Sequence, residues 1–368
     1  MNKIFRQTAV VCFIASFFYS QSLLAQSNSM VNVATSSAPF LQISPDARSG
    51  ALGDAGIALS PDANATFWNN AKTSFAGSKA GASANYIPWL SDVADNVFLA
   101  SLGGYYKPTE TSAVTGGVRY FNMGNINLTN DGVTILGSQR PRQFSIEAGY
   151  SLQVSSRFGV GVNLRYINSN LIQGNFSGKS YNTGNAVAGD VSAYYNAKDS
   201  AGSGFSAGFT LSNIGSKMNY TNASDYKYFL PANMGLGAAY TFILDEDNKL
   251  TLIAEGNHLA VPVLDSTNQN DYYNKSVVSG IGSSFSNKAW QVSVGVEYGY
   301  NNQFFARAGY HTETKEAGNI RFISAGVGVK VSDININVSY LFQNGNGVGR
   351  NPLSNTLKLS ALFDLGAK

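Results

Sequence analysis

His258 and His311 are the two histidines of this 368-residue sequence, and they are the side chains best suited to act as a general base near neutral pH. A hydrolase would need a nucleophile in contact with one of them, and spacing along a sequence does not show contacts between strands. A metal site would need further ligands at fixed spacing, and none accompanies either residue. We therefore predict that both are structural residues at strand ends, with no catalytic site, metal or cofactor. A hydrolase that uses either histidine is the alternative.

Three other features could carry chemistry, and each has a simpler interpretation. The stretch GALGDAG (Gly50–Gly56) resembles a phosphate-binding loop, which requires a preceding buried strand and a following helix in a βαβ unit. DEDN (Asp245–Asn248) is acidic like a calcium loop but lacks the glycine and the distal glutamate of that motif. Cys12 is the only cysteine, so the sequence offers no disulfide framework. We predict a structural glycine-rich segment and a solvated turn for the first two.

The first residues predict export. Lys3 and Arg6 precede an apolar run, and a small-residue cleavage site follows at Ala25, which is the pattern of a secretory signal peptide over residues 1–25. Removing the two basic residues lowers the net charge from +3 to +1, so binding of nucleic acid has no electrostatic support. Charged residues make up 13% of the chain, about half the usual share. An exported, weakly charged chain rich in Tyr and Phe, with no later apolar stretch of helical spanning length, points to an outer-membrane β-barrel.

Alternation of apolar and polar residues supports this fold class. In WQVSVGVEYGY (Trp290–Tyr300), one face carries Val and Tyr, and the other carries Gln, Ser, Gly and Glu. Such alternation over about 9–11 residues is typical of strands that face lipid on one side and a lumen on the other. Similar segments begin near residues 80, 96, 113, 142, 157, 187, 203, 233, 249, 290, 303, 321, 333 and 355. We predict an all-β protein, a transmembrane antiparallel barrel of about fourteen strands over residues 79–368. A soluble β-sandwich would have shorter strands and charged outer faces.

The connections test this strand count. Six short links alternate strictly with seven long ones, as expected for periplasmic turns and cell-surface loops. Ser276–Ser286 could pass for a fifteenth strand, but counting it would break the alternation. We assign it to the long outer loop Leu259–Ala289, as a helical turn.

A segment of small residues precedes the first strand. Ser44-Pro45-Asp46 and Ser60-Pro61-Asp62 each have the pattern of a helix start, with a serine cap and proline at the first helical position. Fourteen strands enclose an interior too wide for barrel side chains alone to fill. We therefore predict that residues 26–78 form an N-terminal extension that plugs the lumen. The residues assigned to the plug and the lumen wall are Asp46, Arg48, Asp54, Trp68, Asn69, Arg119, Arg165, Glu297 and Arg307.

The long loops carry apolar and aromatic residues that would suit contact with another protein. Packing of the loops against one another explains these residues equally well. The residues that we assign to partner binding are Trp89, Leu90, Leu259, Val261, Pro262, Val263, Ile281, Phe285, Phe342 and Pro352.

Several stretches show a resemblance to a known family. They are PDARSGALGDAGIALSPDANATFWNNA (Pro45–Ala71), HLAVPV (His258–Val263), VEYGYNNQFFARAGYHTE (Val296–Glu313) and NPLSNTLKLSALF (Asn351–Phe363). They resemble the PorV family, outer-membrane proteins of the type IX secretion system in Bacteroidetes. The strand layout is similar, more distantly, to the FadL family of fourteen-stranded channels for hydrophobic solutes, whose N-terminus forms a hatch inside the barrel.

The resemblance implies a function that composition does not. It implies a non-enzymatic protein of the bacterial outer membrane, in contact with outer-membrane lipids, whose loops are exposed at the cell surface. There it would bind the C-terminal signal domains of secreted cargo. It would shuttle them from the translocon barrel (SprA, also called Sov) to the PorU-containing attachment complex. A FadL-type channel for hydrophobic molecules is one alternative, although the inward faces are rich in Gly, Ser, Asn and Arg. A lipopolysaccharide deacylase, a role linked to one PorV homologue, is the other.

Overall fold

The computed structural model describes residues 34–89, 96–130, 134–176, 179–222, 226–264, 267–343 and 355–367. Within them, fourteen antiparallel strands close into one barrel. The barrel strands are β1 (Ser78–Pro88), β2 (Val97–Thr109), β3 (Ser112–Met123), β6 (Arg142–Gln153), β7 (Phe158–Asn170), β10 (Gly184–Asn196), β11 (Gly204–Gly215), β12 (Asn233–Ile243), β13 (Asn248–Leu259), β14 (Trp290–Tyr300), β15 (Phe304–Glu313), β16 (Arg321–Val331), β17 (Ile334–Gln343) and β18 (Thr356–Ala367). The predicted barrel and its strand count are confirmed. The predicted signal peptide, Leu90 and Pro352 lie outside the described residues.

Closure joins the first barrel strand to the last. β1 pairs with β18 in a register that runs from Ser78 opposite Ala367 to Tyr86 opposite Leu359. A closed sheet leaves no edge strand with unpaired main-chain groups, which strands in hydrocarbon require because no water is available there. Two small hairpins, which the sequence did not predict, lie in long connections: β4 (Ile126–Asn130) with β5 (Thr134–Gln139), and β8 (Gly174–Phe176) with β9 (Lys179–Tyr181).

The two faces of each barrel strand differ in burial and polarity. On β14, Val292 and Val294 are 48% and 45% exposed, whereas Ser293 and Glu297 are 1% and 8% exposed. The exposed face is therefore apolar and the buried face polar, which is the arrangement of a barrel with lipid outside and a filled, polar interior. The alternation identified in the sequence predicted both faces of this strand.

Helices are short and lie before β1 and in the outer loops. They are α1 (Ala47–Gly50), α2 (Ala65–Trp68), α3 (Gln269–Asn274) and α4 (Val277–Ser284), with 3₁₀ helices η1 (Pro39–Gln42), η2 (Asn70–Phe75) and η3 (Lys315–Ala317). The position of α4 confirms that Ser276–Ser286 is a helical part of the loop and not a fifteenth strand. None of the helices in the described ranges has the length and hydropathy needed to cross a bilayer.

The predicted serine caps are wrong at both helix starts. Asp46 caps α1, because its carboxylate accepts a hydrogen bond from the Ser49 N–H at 2.9 Å. No helix begins at Ser60-Pro61-Asp62; α2 begins later, at Ala65. The Asp62 carboxylate instead accepts a hydrogen bond from the Asn64 N–H at 2.9 Å. A carboxylate is a stronger acceptor for main-chain N–H groups than a hydroxyl, so the aspartate takes the turn-forming role in both places.

The segment ahead of β1 fills the barrel. Ala38, Ala51 and Leu52 are each 0% exposed, although they belong to no strand. Small residues on both sides make this possible: a Cβ atom at Gly309 of β15 would lie 2.1 Å from the main-chain nitrogen of Gly53. We call residues 38–76 the lumen segment. Its place inside the wall matches the predicted plug.

Candidate functional site

Glu297 on β14 lies between two arginines inside the barrel. Its carboxylate accepts hydrogen bonds from Nε and Nη2 of Arg48 on α1, both at 3.0 Å. It also accepts one from Nε of Arg307 on β15, at 2.6 Å. Arg48 pairs in addition with Asp62, at 3.1 Å. These side chains are largely buried, where an unpaired charge is costly, so the ions stabilise one another. We call Arg48, Asp62, Glu297 and Arg307 the arginine latch; it fastens α1 to the barrel wall.

Other strands hold the lumen segment from other directions. Lys358 of β18 pairs with Asp54 at 2.7 Å. Glu255 of β13 accepts hydrogen bonds from the main-chain N–H groups of Gly56 and Ile57, both at 2.8 Å. Because these contacts come from separate parts of the wall, displacing the lumen segment would break charged contacts on several sides at once.

Trp68 and Asn69 fix the second half of the lumen segment. The indole N–H of Trp68 donates to the Asp46 carboxylate at 2.6 Å. The Asn69 amide donates to the main-chain oxygens of Ile57 at 3.1 Å and Ala193 at 2.9 Å. Trp68 therefore joins two parts of the lumen segment, and Asn69 joins the segment to β10.

Arg119 and Arg165 lie on the lumen wall, where the sequence placed them. Arg119 on β3 donates to the main-chain oxygen of Leu41 at 3.1 Å, and so contacts the lumen segment. Arg165 on β7 pairs instead with Glu147 of β6 and Asp190 of β10, at 2.5 and 2.8 Å. The structure thus places all nine predicted plug and lumen residues in the barrel interior. Most of them contact the lumen segment or belong to it, whereas Arg165 joins neighbouring strands of the wall.

Lys72 in η2 is a buried cation that the sequence did not single out. It is 2% exposed, and its ammonium group donates to the main-chain oxygen of Gly56 at 2.7 Å. Burial lowers the pKa of this ammonium from its ordinary value of 10.5 to about 8, and attraction from Asp62 offsets only part of that effect. A charged Lys72 therefore destabilises the folded barrel near neutral pH.

Replacing Lys72 by Met is expected to abolish a pH dependence of stability. Between about pH 8 and pH 10.5, the unfolded chain keeps a proton on Lys72 that the folded chain has released. The unfolding free energy of the wild type should therefore rise with pH, relative to Lys72→Met, by roughly 3 kcal/mol across this interval. Below pH 8 both states carry the charge, so the difference should be constant. Urea unfolding in detergent micelles measures it, and a constant difference through pH 10.5 would contradict the prediction.

A cleft of about 860 Å³ lies among the outer loops. Its walls include Tyr220, Tyr226 and Tyr228 from the β11–β12 connection, together with Tyr273 of α3. The rings of Tyr226 and Tyr228 pack edge-on against Tyr273, with centroids 5.2 and 5.5 Å apart. We call these four residues and the space they line the tyrosine cleft. The sequence reasoning missed it, although three tyrosines within nine residues of one predicted long loop were a signal.

Several residues predicted for partner contact are packed inside the loops. Leu259 and Val261 are 4% and 0% exposed, and they form a cluster with Phe229 and Tyr272. Pro262 is buried beside them, and Val263 is half-buried. These residues therefore support the loop layer in the structure and do not form its outer surface.

The remaining described residues of this group occupy different surroundings. Trp89 is half-buried against Phe121, with ring centroids 5.2 Å apart. Phe342 is 47% exposed on the apolar outward face of β17, in line with Tyr340. Ile281 is half-buried and Phe285 is 55% exposed. The structure does not bring the predicted contact residues together into one patch.

The two histidines face opposite sides of the barrel wall. His311 faces inward, with Nδ1 2.9 Å from Ser293 Oγ and Nε2 3.3 Å from Glu313 Oε1. Serine, histidine and carboxylate are thus connected in the order of a hydrolase triad, but the two ring nitrogens have exchanged partners, and Ser293 is only 1% exposed. His258 faces outward beneath Phe285, with ring centroids 5.4 Å apart. The described residues contain no group of three or more side chains placed to hold a metal ion.

Comparison with known families and with solved structures gave matches of both kinds. A family model described as "Type IX secretion system protein PorV" matches residues 25–266. The structure of CymD, a monoaromatic hydrocarbon channel, is similar with a TM-score of 0.58 and 13% identity, over 88% of this chain and 98% of that one. A Pseudomonas aeruginosa FadL homologue has a TM-score of 0.52 and 11% identity, over 91% and 100%. The Ralstonia pickettii toluene transporter TbuX has a TM-score of 0.52 and 11% identity, over 86% and 96%. Comparison with curated protein sequences gave no match.

Proposed function

Because this chain belongs to the PorV family of the type IX secretion system, we propose that it binds the C-terminal domains of secreted proteins at the cell surface. It passes them from the translocon barrel SprA (Sov) to the PorU-containing attachment complex. The family match over residues 25–266 is the observation that carries this proposal; it includes the lumen segment and the barrel strands through β13. The protein is an outer-membrane β-barrel, which provides the cell-surface loops that such a role requires.

The filled lumen favours a binding site among the outer loops. The lumen segment is held by the arginine latch and by Lys358 and Glu255, so a folded cargo domain has no passage through the barrel. The tyrosine cleft offers a hollow of about 860 Å³ among the described loops. That volume suits a few side chains of a partner and not a whole domain. Tyrosine rings offer large, rigid contact areas with a polar tip, and they are frequent among residues that dominate binding energy.

Substituting the tyrosine cleft tests this proposal. Tyr226, 44% exposed, and Tyr273 of α3 are both changed to Ser, and binding of a purified cargo C-terminal domain to the detergent-solubilised barrel is measured. We expect binding at least about tenfold weaker, since residues of this kind contribute about 1–2 kcal/mol or more each when they are central to an interface. Ile126→Ser is the control, because Ile126 is an exposed apolar residue of the β4–β5 hairpin, in another long connection and outside the cleft. Unchanged binding by the double variant, with barrel formation intact, would reject the cleft as the cargo site.

A conduit for hydrophobic molecules is the second candidate. The fold is similar to channels described for monoaromatic hydrocarbons and toluene, and the tyrosine cleft has room for such a molecule. Transport through the barrel would require the lumen segment to move, and the charged contacts that hold the segment on several sides oppose this movement. Uptake of toluene by liposomes that carry the protein would favour this candidate. Cargo binding without any uptake would reject it.

A further inference from the structure

His258 is fully buried although it lies on the outward face of the barrel wall, where side chains are normally exposed. It lies on β13 opposite Met234 of β12 and Trp290 of β14. On β13 the outward-facing row contains Leu252, which is 45% exposed, and alternation places His258 in the same row. His258 is nevertheless 0% exposed. Something therefore covers the outward surface of the wall at this point.

The cover is the C-terminal end of α4. Phe285, the residue after α4, stacks on the His258 ring at 5.4 Å with an interplanar angle of 20°. The Ser284 hydroxyl lies 3.4 Å from His258 Nε2. Trp290, exposed on the outward face of β14, packs on the same ring at 4.5 Å. The loop helix is thus folded down over the outside of the barrel, and its end is continuous with the apolar outward surface.

One exposed face of α4 is apolar, and the exposed Ser279 lies at its side. Val278 is 79% exposed and Phe285 is 55% exposed, and Gly282 between them is exposed as well. Residues at this spacing share one face of a helix. The opposite face is packed, because Gly280 is buried and has no room for a Cβ atom beside the ring of Phe229. An exposed Lys288 follows shortly after the helix.

We propose that α4 lies in the interfacial layer of the outer leaflet, with Val278 and Phe285 inserted among lipid. The occupant of this face is bilayer lipid, because the face continues the apolar outward surface of the barrel, on which Trp290 and Val292 are 43% and 48% exposed. Short amphipathic helices bind membranes in this way, with their apolar face at the headgroup and acyl boundary and basic residues among the headgroups. This inference does not depend on the proposed function.

Lipid-borne quenchers test the inference directly. The single native cysteine is removed as Cys12→Ser, and Val278→Cys is labelled with a fluorescent probe in proteoliposomes that contain lipids with a nitroxide near the headgroup. Leu236→Cys, on the outward face of β12 and 64% exposed, reports contact with lipid. Ser155→Cys, exposed in the turn between β6 and β7, reports contact with water.

We expect quenching at Val278 within about twofold of that at Leu236, and little quenching by aqueous iodide. Strong iodide quenching, as at Ser155, would overturn the proposal. So would crosslinking to a protein in native outer membrane when Val278→Cys carries a photoreactive group instead, because the face would then belong to a protein partner. A second variant, Phe285→Cys, repeats the measurement if Val278→Cys does not form a barrel.

Discussion

Glu297→Gln should lower the unfolding free energy of the barrel by about 3 kcal/mol or more, one of the two largest effects that we expect. The substitution keeps the shape of the side chain but removes the negative charge that lies between Arg48 and Arg307. Both guanidinium groups are largely buried, so water cannot hydrate them in place of the lost carboxylate. Removing one partner of a buried ion pair typically costs about 3–5 kcal/mol for this reason.

Asp364→Asn provides a matched control for this prediction. It makes the same change from carboxylate to amide in the pair between Lys330 and Asp364, whose side chains are 36% and 22% exposed. Partly exposed pairs contribute about 1 kcal/mol or less, so the control should change stability little. Urea unfolding of both variants in the same detergent gives the comparison. Equal losses in the two variants would show that the arginine latch does not hold the lumen segment.

Gly309→Val is the second substitution with a large expected effect. A Cβ atom at Gly309 would lie 2.1 Å from the main-chain nitrogen of Gly53 and 2.2 Å from the main-chain carbon of Leu52. The obstacle is main chain, which cannot rotate away as a side chain can. We expect a loss of about 3 kcal/mol, at the upper end of the usual cost of overpacking.

The lumen segment should also be displaced in Gly309→Val, so ion conductance through the barrel in planar bilayers should rise. Gly256→Val is the control, because a Cβ atom at Gly256 on β13 meets no other atom within 4 Å. It should form a barrel of nearly wild-type stability and conductance. Wild-type behaviour of Gly309→Val in both assays would mean that the segment does not pack against β15 as described.

The way in which the lumen is filled bears on how the protein functions. The lumen segment is integrated into the wall by ion pairs, by carboxylate contacts to main-chain N–H groups and by glycine-mediated close packing. A barrel filled in this way is suited to present loops at the cell surface. The role proposed for it, binding cargo domains and transferring them between other components of the secretion system, uses those loops.

The sequence by itself determined the barrel. A strand with lipid on one side must alternate apolar and polar residues, so Trp290–Tyr300 could be assigned from its order of side chains alone. Counting links of alternating length excluded a fifteenth strand at Ser276–Ser286, where α4 lies. Small residues with helix-start signals predicted an internal segment, although aspartate and not serine forms the first cap. All these signals are local or periodic, so they can be read from one sequence without knowledge of which distant residues meet.

Only the tertiary structure decided which distant residues meet. Arg48 and Glu297 are separated by 249 positions, and no spacing along the chain relates them. The same holds for the tyrosine cleft, which combines Tyr226 with Tyr273, and for Leu259 and Val261, which loop packing buries. His258 lies on the outward side of the wall under Phe285 because a connecting loop folds back over the barrel. Closure of the barrel and packing of the loops bring these residues together. Both depend on the positions of many residues at once, and the periodicity of one segment carries no information about them.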